Sequence, residues 1–435
     1  MNRRKFPIIL YLFFLPFFLS LLIVSCSKDD DLDLPGIESQ SSVISEIDEI
    51  MKEWYLWNED LPEINPNSFD SANEYFDKLL APQDKWSFID NLDELMAFLE
   101  NGTYKGYGFA LKWKDQEHLM VKLVYDASVL KTEGITRGWE LIRINGKAPS
   151  SMNDDDIINE LNRPGNSFVF KNSSGEQKEL ILSQTEMQQN TVLHQDVITT
   201  EKGAKVAYLV FDSFLDSSEQ ELNAAFSDFK TKGATELILD LRYNGGGSTK
   251  ISNQLSALIT GNTFTGQVYS KIFHNQSKSA SDTIDLFLSQ PAAYNFERIF
   301  IITTRSTASA SEMVINGLEP YLGAENVILI GTQTHGKPVG MYVFEVPKFN
   351  LAVVPISFKI TNKDDIGEYF DGIPVDFEIA DDLTHDWGDQ EETNLKAALN
   401  YIETGIFDQA MLLKAGAPKG RELPLKGFRE MIGAF

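Results

Sequence analysis

From residue 205 onward, β-like apolar runs alternate with helical patterns: "VAYLVF", "SSEQELNAAFSDFKTKG", "ELILDLR", "KISNQLSALI", "RIFIIT", a helix after Ser309, then "NVILIG". This alternation constrains the fold more than any other feature, because strands separated by helix-length segments read as parallel neighbours joined by crossover helices. The run Leu237 to Leu241 is apolar without a break, which suits a strand covered on both faces. The expected architecture is therefore α/β, and in an open α/β sheet the loops beyond the carboxyl ends of the strands collect the ligand-facing groups. Further strands, "GMYVFEVP" and "NLAVVPISF", and a helix around Asn394 to Thr404 follow the core.

Two regions precede it. In "VISEIDEIMKEWYLW", Val43, Ile44, Ile47, Ile50, Met51 and Trp54 fall at helical spacing, and "NLDELMAFLE" repeats the device, so residues 41–102 read as a small helical domain. Its aromatics Trp54, Tyr55, Trp57 and Trp86 are expected to form the core of that domain. Residues 103–187 change to short strands and turns, "GYGFALKW", "HLMVKLVY", "WELIRING" and "SFVFKN", with one acidic-capped helix, "MNDDDIINELN". A chain of 435 residues with 43% hydrophobic residues can bury several such cores. A net charge of −26 with no basic stripe excludes a nucleic-acid partner. His118, His194, His274 and His385 show no metal-ligand spacing, and neither metal nor cofactor is expected.

The first residues read as an export signal, with Arg3, Arg4 and Lys5 ahead of an apolar run from Phe6 to Val24. The run closes on Ile23, Val24, Ser25 and Cys26, which resembles a bacterial lipobox, so Cys26 is the expected lipidation site. Cys26 is the chain's one cysteine and has no partner for an intramolecular disulfide. The competing reading is an uncleaved anchor, for which the apolar length just suffices. The acidic "SKDDDLDL" that follows reads as a tether and resembles surface-export signals of some Gram-negative lipoproteins. The expected location is the bacterial cell envelope, lipid-anchored in the outer membrane; the oligomeric state is not indicated.

Four features fall at the ends of core strands. The glycine run in "DLRYNGGG", residues 240–247, lets main-chain N–H groups approach a ligand, but it lacks the Lys-Ser/Thr end of a phosphate loop. "STASASE" lies at a strand-to-helix junction, where Ser309 and Glu312 fit a capping box. "THGK", residues 334–337, follows "NVILIG", and "DGIPVD", residues 371–376, follows the late strands.

Two resemblances join these features. Gly106, Tyr107, Gly108 and Phe109, with "GITRGWELIRINGKAP", resemble the carboxylate-binding loop and following segment of a PDZ domain, although Trp139 stands where an aspartate is usual. "DLRYNGGG", "TASASE" and "GTQTHGK", in that order, resemble the C-terminal processing peptidases, or tail-specific proteases, which use a Ser-Lys dyad. That resemblance implies a crotonase-like (ClpP/crotonase-type) peptidase core with a PDZ-like β-rich domain and a small N-terminal helical domain. With the export signal and tether read above, the chain divides into signal peptide 1–26, tether 27–40, helical domain 41–102, PDZ-like domain 103–187, peptidase core 188–382 and helical tail 383–435. The resemblance places the nucleophile on Ser309, the general base on Lys337, and the oxyanion donors on the N–H of Ala310 and of Gly246 or its neighbour Gly245. The partner implied is a protein or peptide substrate. A lysine can act as base at neutral pH only if burial lowers its pKa, and Lys337 follows the apolar strand Val327 to Ile330.

Other readings stay open on the residues. His335 lies two residues before Lys337 and is a candidate base; Met341 stands where many of these peptidases carry a glutamine that orients the lysine, which favours a peptide-binding protein that does not cut. An acyl-thioester enzyme on the same fold would share the oxyanion device but leave Lys337 without a role.

Overall fold

The computed structural model describes residues 37–414 and 420–435; the expected signal peptide, Cys26 and most of the tether lie outside the described residues. No helix among the described residues is long and apolar enough to cross a membrane.

The alternation of residues 205–331 folds as expected. A six-stranded sheet runs in the order Phe377–Glu378, Val327–Gly331, Ile299–Thr303, Glu236–Asp240, Lys205–Phe211 and Val192–Thr199. All neighbours are parallel except the last pair, which is antiparallel. Successive side chains of a strand point to opposite faces, and both faces are covered. Ala207, Leu209, Leu237, Leu239, Ile299 and Ile301 share a core with helices Ser218–Lys232, Thr249–Thr260 and Ala310–Leu322. Val206, Tyr208, Ile238, Phe300 and Ile330 pack against helix Thr393–Thr404. Two-sided burial explains why these strands read as unbroken apolar runs.

The β-rich region carries five consecutive antiparallel strands, Phe109–Trp113, Leu119–Val124, Glu140–Ile144, Gly165–Lys171 and Gln177–Ser183. A sixth, Arg421–Glu422, comes from the far end of the chain and pairs antiparallel with the edge strand Phe109–Trp113. The helix Asp154–Leu161 forms where expected, but its cap is the neutral Asn153 side chain, with Asp154, Asp155 and Asp156 in the first turn. Beyond the helix Thr393–Thr404, two further short helices, Gln409–Lys414 and Gly427–Ile432, frame that sixth strand. Sequence periodicity missed all three elements because each is too short to show a period.

The N-terminal helices are Ile37–Trp54, Ala72–Leu79 and Leu92–Asn101. Of the four aromatics expected in their core, only Tyr55 is fully buried. Its hydroxyl donates to Asp84 at 2.8 Å. Trp54 packs against Tyr342 and Phe344 of the late strands, and Trp86 turns towards residue 335.

Candidate active site

Ser309 occupies the sharp turn between strand Ile299–Thr303 and helix Ala310–Leu322, with φ 56° and ψ −114°. A non-glycine residue there stores about 1–3 kcal/mol of backbone strain unless its surroundings over-determine it. They do: Thr307 Oγ1 donates to Leu241 O at 2.8 Å, Ala308 N–H to Asn244 O at 3.0 Å, and His335 N–H to Thr307 O at 2.9 Å. The elbow is thus held to the glycine run on one side and to the Lys337 loop on the other.

Glu312 completes that attachment. It is fully buried, and its carboxylate accepts four hydrogen bonds: Oε1 from Thr334 Oγ1 at 2.6 Å and Gly336 N–H at 2.7 Å, Oε2 from Ser309 N–H at 2.9 Å and Lys337 N–H at 2.8 Å. The bond from Ser309 N–H is the glutamate half of the expected capping box. The other three bonds were not legible in the sequence. Burial raises the Glu312 pKa above the ordinary range, against the lowering effect of its four donors. One side chain therefore fixes the main chain of Ser309 relative to that of Lys337. Glu312→Gln puts an NH₂ against two existing donors, so it is expected to lower unfolding free energy by about 2–4 kcal/mol, read by urea denaturation.

Lys337 is half-buried. Burial pulls its pKa down to about 8, while the carboxylates of Glu430, Asp84 and Glu312 oppose that shift. Its loop is supported by the "DGIPVD" segment: Arg305 Nη1 donates to both Thr334 O and Asp371 O at 2.8 Å, and Ile373 N–H donates to Thr334 Oγ1 at 2.7 Å. A Cβ on Gly336 would lie 2.3 Å from Phe370 O, and one on Gly372 2.3 Å from Thr334 O, so the two loops meet at glycines. The fourth sequence feature is therefore scaffold for the third.

His335 is engaged at both ring nitrogens. Trp86 Nε1–H donates to its Nε2 at 2.9 Å, which leaves the proton on Nδ1, 3.3 Å from Arg305 O. No lone pair is left to serve as base. Met341 lies in the short strand Val339–Met341 and packs with apolar neighbours rather than taking any role of an amide. Ser306 Oγ donates to Glu422 Oε1 and Ser311 Oγ to Asn244 O, both structural contacts.

The glycine run meets the elbow at Gly246, where a Cβ would lie 2.7 Å from Ser309 Cβ and 2.9 Å from Ala310 N. Its φ of 103° also demands glycine. The N–H of Gly246, one of the two glycines expected to offer an oxyanion donor, donates to Asn244 Oδ1 at 2.9 Å. Ala310 N–H opens the helix at N1, and Gly245, the residue before Gly246, is exposed. Asn244 is a hub that the sequence reading did not single out. Its amide donates to Phe211 O, its Oδ1 holds Gly246, and its carbonyl accepts from Ala308 and Ser311.

Asp240 and Arg242, ahead of the glycines, face away into a buried ion network. Arg242 pairs with Asp240 at 2.6 Å, Glu392 at 2.7 Å and Asp381 at 3.2 Å. Asp381 also meets Arg137 and Lys112 of the β-rich region, each at 3.0 Å, and Glu422 meets Lys112 and Lys122. Tyr243 stands at the centre with its hydroxyl on Asp381 at 2.5 Å, under Lys112 and Lys122, each 4.9 Å from its ring centroid. The network fastens the base of the glycine run to the β-rich region.

In that region, the N–H groups of Tyr107, Gly108 and Phe109 converge on one acceptor, the main-chain oxygen of Phe435, and Gly106 lies directly against it. The four residues named from the sequence are thus brought together, around a segment of the chain itself.

Comparison with known proteins adds to this geometry. The profile of peptidase family S41 matches residues 205–379, and that of the peptidase S41 N-terminal domain matches residues 42–88. The chain is 24% identical over 263 residues to carboxy-terminal processing protease CtpA of Bacillus subtilis, covering 58% of this chain and 52% of that protein. It is 23% identical over 303 residues to the chloroplastic carboxyl-terminal-processing peptidase 1 of Arabidopsis thaliana, covering 69% of this chain and 58% of that protein. The chain thus spans a little over half the length of these curated relatives. A crystal structure from Bacteroides fragilis classed with the S41 proteases superposes with a TM-score of 0.69 at 25% identity, covering 83% of this chain and 98% of that one.

Proposed function

The chain belongs to peptidase family S41, the C-terminal processing peptidases, and we propose that it is a serine endopeptidase that cuts flexible or C-terminal polypeptide segments with Ser309 as nucleophile and Lys337 as general base. The observation that carries this reading is the Glu312 carboxylate, which ties the main chain of a strained serine to that of a lysine with a depressed pKa. Neutral Lys337 Nζ takes the Ser309 Oγ proton as Oγ attacks the peptide carbonyl carbon. The C–N bond then breaks, and the same proton passes to the departing amine, leaving an acyl-enzyme on Oγ. Water, deprotonated by Lys337, attacks the ester carbon; the C–Oγ bond then breaks, Ser309 Oγ regains the proton from Lys337, and the new carboxyl end leaves. The developing oxyanion is held by Ala310 N–H at the positive end of its helix and by Gly245 N–H; such donors contribute about 3–4 kcal/mol each to transition-state stability.

The pH dependence tests this assignment. Only the neutral amine is a base, so kcat/KM should rise with pH through about 8 and level off above it. The rising limb should disappear in Lys337→Ala along with most of the rate; a pH profile unchanged by that substitution contradicts the assignment.

The β-rich region is read as a PDZ-like substrate-delivery domain, supported by the convergent amides of Tyr107, Gly108 and Phe109. Lipid attachment at Cys26 and a location in the bacterial cell envelope complete the proposal. Metabolic labelling with a radioactive fatty acid should mark the wild-type chain and not Cys26→Ala; equal labelling of the two removes the anchor from the account.

A further inference from the structure

The helix that follows Ser309 carries a proline near its end. Pro320 has no N–H for the carbonyl four residues back, so Asn316 O loses its helical donor, and a buried carbonyl left unpaired is costly. Asn362 takes the place of that donor. Its Nδ2 donates to Asn316 O and to Asn316 Oδ1, each at 3.0 Å, while Asn316 Nδ2 donates to Ile366 O at 2.9 Å. Both asparagines are buried, and Asn362 Oδ1 accepts from the N–H groups of Asp364 and Ile366, each at 3.0 Å. The turn at 362–366 therefore hangs on a carbonyl that the proline leaves free, about two helical turns beyond Ser309.

The chain on either side of that turn closes on the neighbours of Lys337. Ahead of the turn, Ile360 N–H donates at 3.0 Å to the carbonyl of Pro338, the residue after the lysine. Behind it, a Cβ on Gly336, the residue before the lysine, would lie 2.3 Å from Phe370 O and 2.6 Å from Gly372 N. Ile373 N–H donates to Thr334 Oγ1, which donates in turn to the Glu312 carboxylate. The segment closes on itself at Gly367, where a Cβ would meet Ile360 O at 2.3 Å. Between these contacts, burial and then the nearby Glu312 charge push the Tyr369 hydroxyl well above its usual range, so it stays protonated. Residues 360–373 thus grip the main chain before and after Lys337, and the Asn362 side chain joins them to the serine helix at a point other than Glu312.

We propose that Asn362 is a positioning residue: through Asn316 it fastens residues 360–373 to the serine helix, and those residues hold Lys337 in register with Ser309, the base and nucleophile of the reading above, on which this role rests. Releasing the tie frees the segment from Gly336 and Pro338, so water reaches the amine and the burial that pulls its pKa down to about 8 is relieved. The titratable groups around Lys337 are the carboxylates of Glu430, Asp84 and Glu312, which oppose that shift, and His335 beside it. The charges of the segment itself are paired, Lys359 with Glu368, Lys363 with Asp364 and Asp365 with Lys271, apart from the exposed Asp371. A neutral substitution at 362 alters none of these charges.

The test uses the full chain in detergent with Asn362→Ser, which keeps a hydroxyl for the N–H groups of the turn but is too short to reach Asn316. In a Ser309→Ala background, competitive acetylation with acetic anhydride and mass mapping reads the neutral fraction of Lys337 against pH. The midpoint should move from about 8 to about 9 or above. With Ser309 restored, the rising limb of Ser309 labelling by a fluorophosphonate probe should move with it, which slows labelling below pH 8 by about tenfold. Lost buried bonds also lower stability, so Pro320→Ala is added to Asn362→Ser. An alanine there returns an N–H to Asn316 O, and the urea midpoint should recover while the Lys337 midpoint stays displaced. An unmoved Lys337 midpoint in Asn362→Ser, or recovery of both midpoints together, overturns the positioning role. A displaced Lys337 midpoint that Ser309 labelling does not follow overturns the dyad reading and leaves the tie between Asn362 and Lys337 standing.

Discussion

Ser309→Ala is expected to lower peptide hydrolysis by about 10⁴-fold or more, since loss of a nucleophile leaves only what positioning and oxyanion donors supply. The same substitution should hardly change stability. Glu312 holds Ser309 through its main-chain N–H, which alanine keeps, and the backbone at φ 56° is as strained for one residue as for the other. The separation matters because Glu312→Gln acts in reverse: it removes bonds that define the elbow and so lowers stability together with rate. Urea unfolding and peptide hydrolysis measured on both variants should therefore diverge, with Ser309→Ala inactive at near wild-type stability. Residual hydrolysis within tenfold of wild type removes Ser309 from the mechanism.

Asp381→Asn is expected to cost about 3–5 kcal/mol of unfolding free energy, the range for breaking a buried ion pair from one side. Asp381 accepts from Arg137, Arg242, Lys112 and Tyr243, so its charge is shared among three cations that stay buried when it is removed. The pH dependence carries a sign. Burial alone would raise the Asp381 pKa, but Lys112, Arg137 and Arg242 outweigh it and hold the carboxyl well below the carboxylate range. Its contribution is then fully present above the unfolded value of about 3.9 and is lost as pH falls towards the folded one. Acid unfolding of Asp381→Asn should lack that component. Equal urea midpoints for the two chains at pH 7 would show that the network does not hold the β-rich region to the core. The local consequence to examine is at Tyr243, whose φ of 70° lies one residue before Asn244 at the start of the glycine run.

The parallel sheet was legible because two-sided burial writes unbroken apolar runs, as in Leu237 to Leu241, and crossover helices write a different period between them. The elbow was legible because "STASASE" sits at a strand-to-helix junction with a capping-box spacing. Glu312 was legible only as a cap: its bonds to Thr334, Gly336 and Lys337 join residues 22 to 25 positions apart, and no local pattern encodes them. Asn244 was hidden for a related reason, since an asparagine before three glycines reads as a turn residue. The bond from Gly246 N–H to the Asn244 side chain was hidden in the same way. Trp86 was assigned to a helical core by composition, whereas its indole N–H meets His335, a contact across 249 residues. The tail was the largest omission. Arg421–Glu422 and Gly427–Ile432 are too short for periodicity, and Phe435 gains its meaning only from the loop it enters.

Reaction with a serine-directed fluorophosphonate probe, followed by peptide mass mapping, tests the dyad most directly because it requires no knowledge of the substrate. Ser309 should carry the adduct, with a labelling rate that rises through about pH 8, and Lys337→Ala should slow labelling by about 100-fold or more. An adduct on another residue, or an equal rate in Lys337→Ala, would contradict the Ser309–Lys337 account.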